Sequence, residues 1–118
     1  MGTHGILLVA LGGGLGAVLR ALISATTSRY MNTSFPIATL IVNLIGSFCI
    51  GYFNHFTLLS PELKLLIITG LLGGFTTFST LTLELFQMLH SKMWGRFIGY
   101  STCQYIGCFV LCFIGMQL

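Results

Sequence analysis

Charged residues are scarce in this chain. Only 6% of its 118 residues are charged, aspartate is absent, and the two acids are Glu62 and Glu84. Because a soluble domain carries about 25% charged residues, the composition excludes a soluble globular protein. The 55% of hydrophobic residues instead predict an integral membrane protein.

The few charges also bear on possible partners. The five basic residues are scattered along the chain, whereas nucleic-acid recognition requires Lys and Arg on one stripe or patch. We therefore expect no nucleic acid among the partners, which leaves the lipid bilayer as the surrounding medium. The three histidines lie near the ends of apolar segments, and without aspartate they offer no catalytic set, so we expect no enzyme.

The four cysteines fall inside apolar segments, with no CxxC pair and no histidine at a spacing suited to zinc. Buried free thiols are the expected state of such residues, in preference to a metal site or a disulfide framework. The four are Cys49, Cys103, Cys108 and Cys112.

A membrane-spanning helix needs about 20 mostly apolar residues, so the length allows four spans joined by short loops. We predict an all-α membrane protein with one four-span transmembrane domain over residues 1–118. The first apolar segment lacks a preceding basic region, so we interpret it as a span and not as a removable signal peptide. The predicted spans cover residues 5–28, 36–56, 63–89 and 94–116.

Glycines in the first span match a nucleotide-binding pattern only superficially. Residues 12–17, GGGLGA, fit the G-x-G-x-x-A string, but that motif needs an acid about 20 residues later. The first acid is Glu62. We interpret Gly12 and Gly16 as a helix face of small residues that lets another helix approach closely.

The third span contains GLLGGFTTFSTL, residues 70–81, in which a continuous helix is unfavourable. Gly73 and Gly74 each cost about 1 kcal/mol relative to alanine, and the hydroxyl side chains compete for backbone groups. Hydrocarbon tolerates a helix break only where it is buried in protein or lines a watery path. The stretch is therefore a candidate ion or solute site.

In the second span, Asn43 could be either a helix-to-helix contact or a ligand.

Two stripes of residues at four-residue spacing run along the fourth span. Gly95, Gly99, Cys103 and Gly107 form a small-residue stripe that predicts close helix packing. The other stripe is polar and could be either a packing face or a track for a solute. It consists of Tyr100, Gln104, Cys108 and Cys112.

Three blocks make the chain resemble the Fluc (CrcB) family of small fluoride channels: GGGLGAVLRALI (12–23), TLIVNLIGSF (39–48) and TGLLGGFTTFSTLTLE (69–84). The resemblance implies an antiparallel, dual-topology dimer of four-helix subunits in the cell membrane. It also implies two pores along the subunit interface that export cytoplasmic fluoride passively and selectively.

The resemblance assigns roles at the break in the third span. It implies that backbone carbonyls of Gly73 and Thr76 from both subunits hold a structural sodium ion. It places the ring edge of Phe78 against the anion, and a ring edge carries positive partial charge. Leu81 stands where the family has a second phenylalanine, so the usual aromatic pair is incomplete.

Further pore residues are implied in the other spans. Asn43 matches an amide that donates to fluoride, and Arg20 matches a vestibule residue that either attracts anions or pairs structurally. The remaining implied pore residues are Ser79, Thr80, Glu84 and the polar track Tyr100, Gln104, Cys108 and Cys112. Because thiols donate hydrogen bonds weakly, this track is weaker than a hydroxyl track.

Leu81 and the thiols suggest that the chain is one member of a two-chain pair, so a heterodimer with a homologous chain stands beside a homodimer. The basic loops slightly favour both termini outside, and the bias is small enough for dual insertion.

The alternatives to a fluoride channel are a small multidrug-type proton-coupled antiporter and a non-conducting structural subunit. The antiporter depends on a glutamate in its first span, where this chain has Arg20.

Overall fold

The computed structural model describes residues 2–56 and 58–118 and consists of helices joined by short links. Within these ranges, four helical spans are long and apolar enough to cross a membrane, and the third, Pro61–His90, is interrupted. The predicted all-α, four-span architecture with a break in the third span is confirmed. The elements are α1 (Thr3–Tyr30), α2 (Ile37–Asn54), α3 (Pro61–Lys64), a π-helix π1 (Leu65–Leu72), α4 (Gly73–Phe75), α5 (Ser79–His90) and α6 (Trp94–Gln117).

The third span begins at a local cap. The Leu63 backbone N–H donates to Ser60 Oγ over 3.2 Å, which satisfies one of the N–H groups that a helix start leaves unpaired. Pro61 follows in the first turn, where its missing N–H is not needed. Glu62 lies in the same turn, where the helix dipole favours a negative charge.

The backbone of α1 approaches π1 and α4 closely through glycines. A Cβ atom added at Gly12 would clash with the Leu66 carbonyl oxygen, and one added at Gly16 would clash with the Leu71 carbonyl oxygen. On the other side, a Cβ at Gly74 would lie 3.0 Å from the Cα of Gly13. The predicted close-packing face of Gly12 and Gly16 is confirmed.

The break in the third span lies inside the predicted stretch 70–81, after Gly73 and Gly74. Gly73 keeps helical dihedral angles, with φ −62° and ψ −40°, and Gly74 lies within α4. The chain leaves the helix at Thr76, whose φ of −83° and ψ of 160° are extended, and re-enters one at Ser79. The break therefore falls at the hydroxyl residues of the predicted stretch, while Gly74 serves the contact with α1.

Helices α2 and α6 pack along their length, with glycines at the closest points. A Cβ at Gly51 would clash with the Cys112 carbonyl oxygen, and a Cβ at Gly115 would clash with the Phe48 carbonyl oxygen. These contacts fix the polar stripe of α6 against α2.

Of the predicted small-residue stripe of α6, Gly107 contacts α2, because a Cβ added there would lie 2.9 Å from Leu44 Cδ2. Within the described part of the chain, nothing lies within 4 Å of a Cβ added at Gly95 or Gly99, and Cys103 is exposed. The packing prediction is therefore wrong within the chain for Gly95, Gly99 and Cys103 and is confirmed for Gly107.

A small apolar cluster joins α5 to α6. Leu81, Met88 and Tyr100 are buried together, and Phe35 packs on them from the link before α2. The Phe35 and Tyr100 rings meet edge to face, with centroids 5.2 Å apart. The cluster fixes Tyr100, which is fully buried, beside the polar groups described next.

Candidate functional site

The side chain of Asn43 on α2 holds the break in the third span. Thr77 N–H donates to Asn43 Oδ1 over 2.9 Å, and Asn43 Nδ2 donates to the Thr77 carbonyl oxygen over 3.0 Å. The asparagine amide thus pairs with the backbone as a second peptide group would. Because the backbone N–H can only donate, this pairing also fixes which end of the amide is oxygen.

The break leaves carbonyl oxygens without hydrogen-bond partners, and two of them belong to the predicted sodium site. In a continuous helix, the N–H groups of Thr77 and Thr80 would donate to the carbonyls of Gly73 and Thr76. Here Thr77 N–H donates to Asn43, and Thr80 N–H donates to Thr77 Oγ1 over 3.3 Å. Among the residues that the structure describes, no hydrogen bond reaches the Gly73 or Thr76 carbonyl. Both oxygens therefore lack a hydrogen-bond partner among those residues, and their role as sodium ligands stays a prediction.

A chain of hydrogen bonds runs from the break to α5. Asn43 Nδ2 donates to Gln104 Oε1 over 3.1 Å, and Gln104 Nε2 donates to the Tyr100 hydroxyl over 3.0 Å. The Tyr100 hydroxyl donates to Glu84 Oε1 over 2.7 Å, and the Thr39 hydroxyl donates to Glu84 Oε2 over 2.8 Å. The carboxyl group embedded in the third span is therefore satisfied by two hydroxyl donors.

A groove of about 440 Å³ lies beside the break, between α2 and α6. It brings residues of the predicted pore together with those of the predicted sodium site. The predicted residues that line it are Asn43, Gly73, Thr76, Phe78, Leu81, Gln104, Cys108 and Cys112.

The other predicted pore residues lie away from this groove. Arg20 and Thr80 line a second cavity of about 240 Å³, and Thr80 and Glu84 line a third of about 220 Å³. Tyr100 is fully buried and reaches the groove only through Gln104. Ser79 is exposed and lines none of these three cavities.

The hydrogen-bond donors of Asn43 are already committed in this structure. Its two N–H bonds go to Thr77 O and Gln104 Oε1, so its role as a fluoride donor stays a prediction. Gln104 Nε2 carries a second hydrogen besides the one given to Tyr100, and Gln104 lines the groove. Gln104 therefore has a donor at the groove that is not committed to another residue, whereas Asn43 has none.

Sequence reasoning missed several residues of the site, among them Ser47, Thr77 and Thr39. Ser47 and Thr77 line the groove, and Thr39 binds the carboxylate of Glu84. Ser47 could have been found, because it lies four residues after Asn43 and so on the same helix face. The partner of Thr39 could not, because Glu84 lies 45 residues away in sequence.

Arg20 makes a structural contact at the break. Its Nε donates to the Gly74 carbonyl oxygen over 3.2 Å, near the C-terminal end of α4. A positive charge is favourable there, because the last carbonyls of a helix carry partial negative charge. Of the two roles left open for Arg20, the structural one has a visible contact, and anion attraction stays a prediction.

Comparison with known proteins identifies the family. The sequence model of the family described as CrcB-like protein, camphor resistance (CrcB), matches residues 7–116. The protein named fluoride-specific ion channel FluC 2 of Staphylococcus epidermidis is 49% identical over 96% of this chain and 97% of its own. The protein named fluoride-specific ion channel FluC of a Sulfurovum species is 44% identical over 96% of this chain and 91% of its own.

A further relative, named fluoride-specific ion channel FluC 1, occurs in Staphylococcus saprophyticus and is 46% identical over 95% of this chain and 96% of its own. All three relatives are named as ion channels and none as an enzyme, which agrees with the expectation from composition. The four apolar spans likewise indicate a multi-pass membrane protein. The resemblance drawn from three sequence blocks is thereby confirmed, and the chain belongs to the CrcB family.

Proposed function

We propose that this chain is a subunit of a fluoride-selective, passive ion channel that exports cytoplasmic fluoride. The observation that carries the proposal is the groove in which the amide of Gln104, paired with Asn43, faces a helix break inside the membrane-spanning region. The names of the relatives support the same ion.

The chemistry of the groove suits a small, strongly hydrated anion. Fluoride must exchange its water for donors held close by, and an amide and hydroxyls provide them without a fixed ammonium group that would hold the ion too tightly. Phe78, 68% exposed, stands at the groove with a ring whose edge is positive. The chain has no P-loop pattern for a nucleotide, and its two acids are too few for a proton relay, which supports passive transport.

The same proposal includes an antiparallel dimer with sodium at its centre. The carbonyl oxygens of Gly73 and Thr76 accept no hydrogen bond among the described residues, and a hard cation prefers oxygen ligands. Two copies of the chain would supply four such oxygens, so the donor set fits the ion. When bound, sodium would supply the positive charge that holds the two helix breaks together.

Gly73→Ala tests the dimer and the ion separately from folding. A Cβ at Gly73 would lie 3.9 Å from the Ile68 carbonyl oxygen, which is ordinary contact, so the single subunit tolerates it. We expect the variant to weaken the sodium-dependent association of subunits in detergent, because alanine stiffens the backbone that presents the carbonyl. Dimer stability with the same sodium dependence as the wild type would contradict the sodium site.

We also propose that the working channel pairs this chain with a homologous one. Leu81 packs with Met88 and Tyr100, so the position of the second ring is filled by an aliphatic side chain. The staphylococcal relatives carry the numbers 1 and 2 in their names, which is compatible with two chains.

Efflux from liposomes tests the function of the isolated chain. We expect fluoride to leave and chloride to remain trapped once the homologous chain is added, with the rate following the membrane potential. Robust fluoride efflux from this chain alone would refute an obligate pair, and efflux that needs a second chain would support it. No fluoride efflux in either arrangement would refute the channel, and proton-coupled uptake of a cationic drug would support the antiporter instead.

A further inference from the structure

Helix α6 places two thiols on one wall of the groove. Cys108 and Cys112 are four residues apart and therefore lie on the same helix face. Both line the groove of about 440 Å³, and both are partly exposed. The position of Cys112 is fixed by the close contact of its carbonyl with Gly51 on α2.

Both thiols are uncommitted. Cys108 and Cys112 are free cysteines, and no hydrogen bond to either is present among residues 2–56 and 58–118. In the same ranges, no group of three His, Cys, Asp or Glu side chains could hold a metal ion together. A tetrahedral zinc site, which needs four ligands or three and a water, is thus excluded there, whereas a two-ligand site is not.

We propose that Cys108 and Cys112 form a two-thiolate site for a soft monovalent metal ion, Cu(I) or Ag(I). Soft thiolate ligands select such ions, which accept two sulfur ligands in a linear arrangement. Binding forms two metal–sulfur bonds and releases two S–H protons, so that two neutral thiols and one M⁺ become one S–M–S group with a single negative charge. No electron is transferred.

The site would close the groove to anions. A bound ion occupies the wall between α2 and α6, and the S–M–S group puts a negative charge where the path needs donors. This consequence rests on the proposed channel function, whereas binding of the metal does not. The thiols that weaken the fluoride track would thus make it sensitive to soft metals.

Protection from alkylation tests the binding in the unmodified full chain. One equivalent of Ag⁺ per chain is added in detergent without chloride, then N-ethylmaleimide, and the modified cysteines are counted by peptide mass spectrometry. Because the second sulfur binds intramolecularly, a pair should outcompete a single thiol by at least about 100-fold. We expect protection of Cys108 and Cys112 and full alkylation of Cys103. Protection spread over all four cysteines, or confined to Cys49 or Cys103, would overturn the site.

Single substitutions supply the matched comparison. Cys108→Ser and Cys112→Ser should each lower the affinity for Ag⁺ by at least about tenfold, since even a group outside the ligand set costs 10–100-fold. Cys103→Ser is the control, because Cys103 is exposed on the same helix and does not line the groove. Equal affinities in all three variants would contradict the proposal, and the alkylation experiment decides the case if a variant does not fold.

Fluoride efflux measures the consequence separately. Stoichiometric Ag⁺ should stop efflux through the wild type and the Cys103→Ser variant, and excess dithiothreitol should restore it. Protection of both cysteines with unimpaired efflux would retain the metal site and overturn its closing effect. Protection in a chain that conducts no fluoride, either alone or with a homologous chain, would retain the site while refuting the channel.

Discussion

Asn43 and Thr77 pair through both ends of their amide groups, over 2.9 Å in one direction and 3.0 Å in the other. Hydrocarbon offers no water to unpaired backbone groups, so this pairing is what allows the third span to break inside the membrane. It also joins α2 to the break as one unit. A change at residue 43 should therefore act on the backbone 34 residues away.

Asn43→Asp tests this pairing. The second carboxylate oxygen would face two acceptors, Thr77 O and Gln104 Oε1, where Nδ2 now donates to both. We expect a loss of about 1–3 kcal/mol in stability and loss of fluoride efflux, because a negative charge would stand beside the groove. Thermal unfolding in detergent measures the loss of stability, and an efflux assay in liposomes measures the loss of fluoride transport. Asn32→Asp, at an exposed position between α1 and α2, is the control, and equal destabilisation by the two variants would contradict the role of Asn43.

Tyr100→Phe removes the hydroxyl that connects Gln104 to Glu84. The Gln104 N–H and one Glu84 oxygen would each lose a partner, and an unsatisfied buried polar group costs about 1–3 kcal/mol. We expect a lower unfolding temperature in detergent. Tyr105→Phe makes the same chemical change at a side chain that is 53% exposed and should unfold like the wild type. Similar unfolding temperatures for the two variants would show that the hydroxyl of Tyr100 does not stabilise the fold.

Gly16→Ala tests the contact of α1 with the third span. The added methyl group would clash with the Leu71 carbonyl oxygen, which belongs to backbone and cannot rotate away. We expect destabilisation of about 1–3 kcal/mol from overpacking. Gly14→Ala, with nothing within 4 Å of its added methyl group, should be neutral or slightly stabilising, since alanine favours a helix by about 1 kcal/mol over glycine. The two variants can be compared by thermal unfolding, and equal stabilities would contradict the close packing.

Leu81→Phe introduces the ring that the family resemblance leads one to expect. Leu81 is 4% exposed and lines the groove, so a ring there should add a positive edge to the anion path and raise fluoride efflux. Its extra volume should also cost about 1–3 kcal/mol of stability. Leu83→Phe, at a position that is 56% exposed on the same helix, is the control. Unchanged fluoride efflux with Leu81→Phe would show that residue 81 does not lie on the conduction path.

The number of spans and the region of the break could be predicted, because both follow from local composition. Apolar length decides how many helices cross the bilayer, and the dense glycines and hydroxyls of residues 70–81 disfavour a helix. The exact break could not be predicted. It depends on which backbone N–H Asn43 captures, and that choice is made by the packing of α2 and not by the residues around Thr77.

The site was predictable in its parts but not in its connections. The face carrying Gln104, Cys108 and Cys112 follows from four-residue spacing, and these three residues do line one groove with Asn43. What spacing cannot give is the partner of each group. The donors of Asn43 are used by Thr77 and Gln104, which only the assembled helices reveal.

The π-helix at Leu65–Leu72 has a consequence for how related chains differ in length. A π turn holds more residues than an α turn, since its hydrogen bonds reach five residues instead of four. Deleting one residue there would turn a π turn into an α turn and keep both neighbouring segments in place. Deleting a residue from Thr76 to Phe78 would instead rotate α5 and part Glu84 from Thr39 and Tyr100. Alignment gaps in the third span should therefore fall in the π-helix and avoid the break.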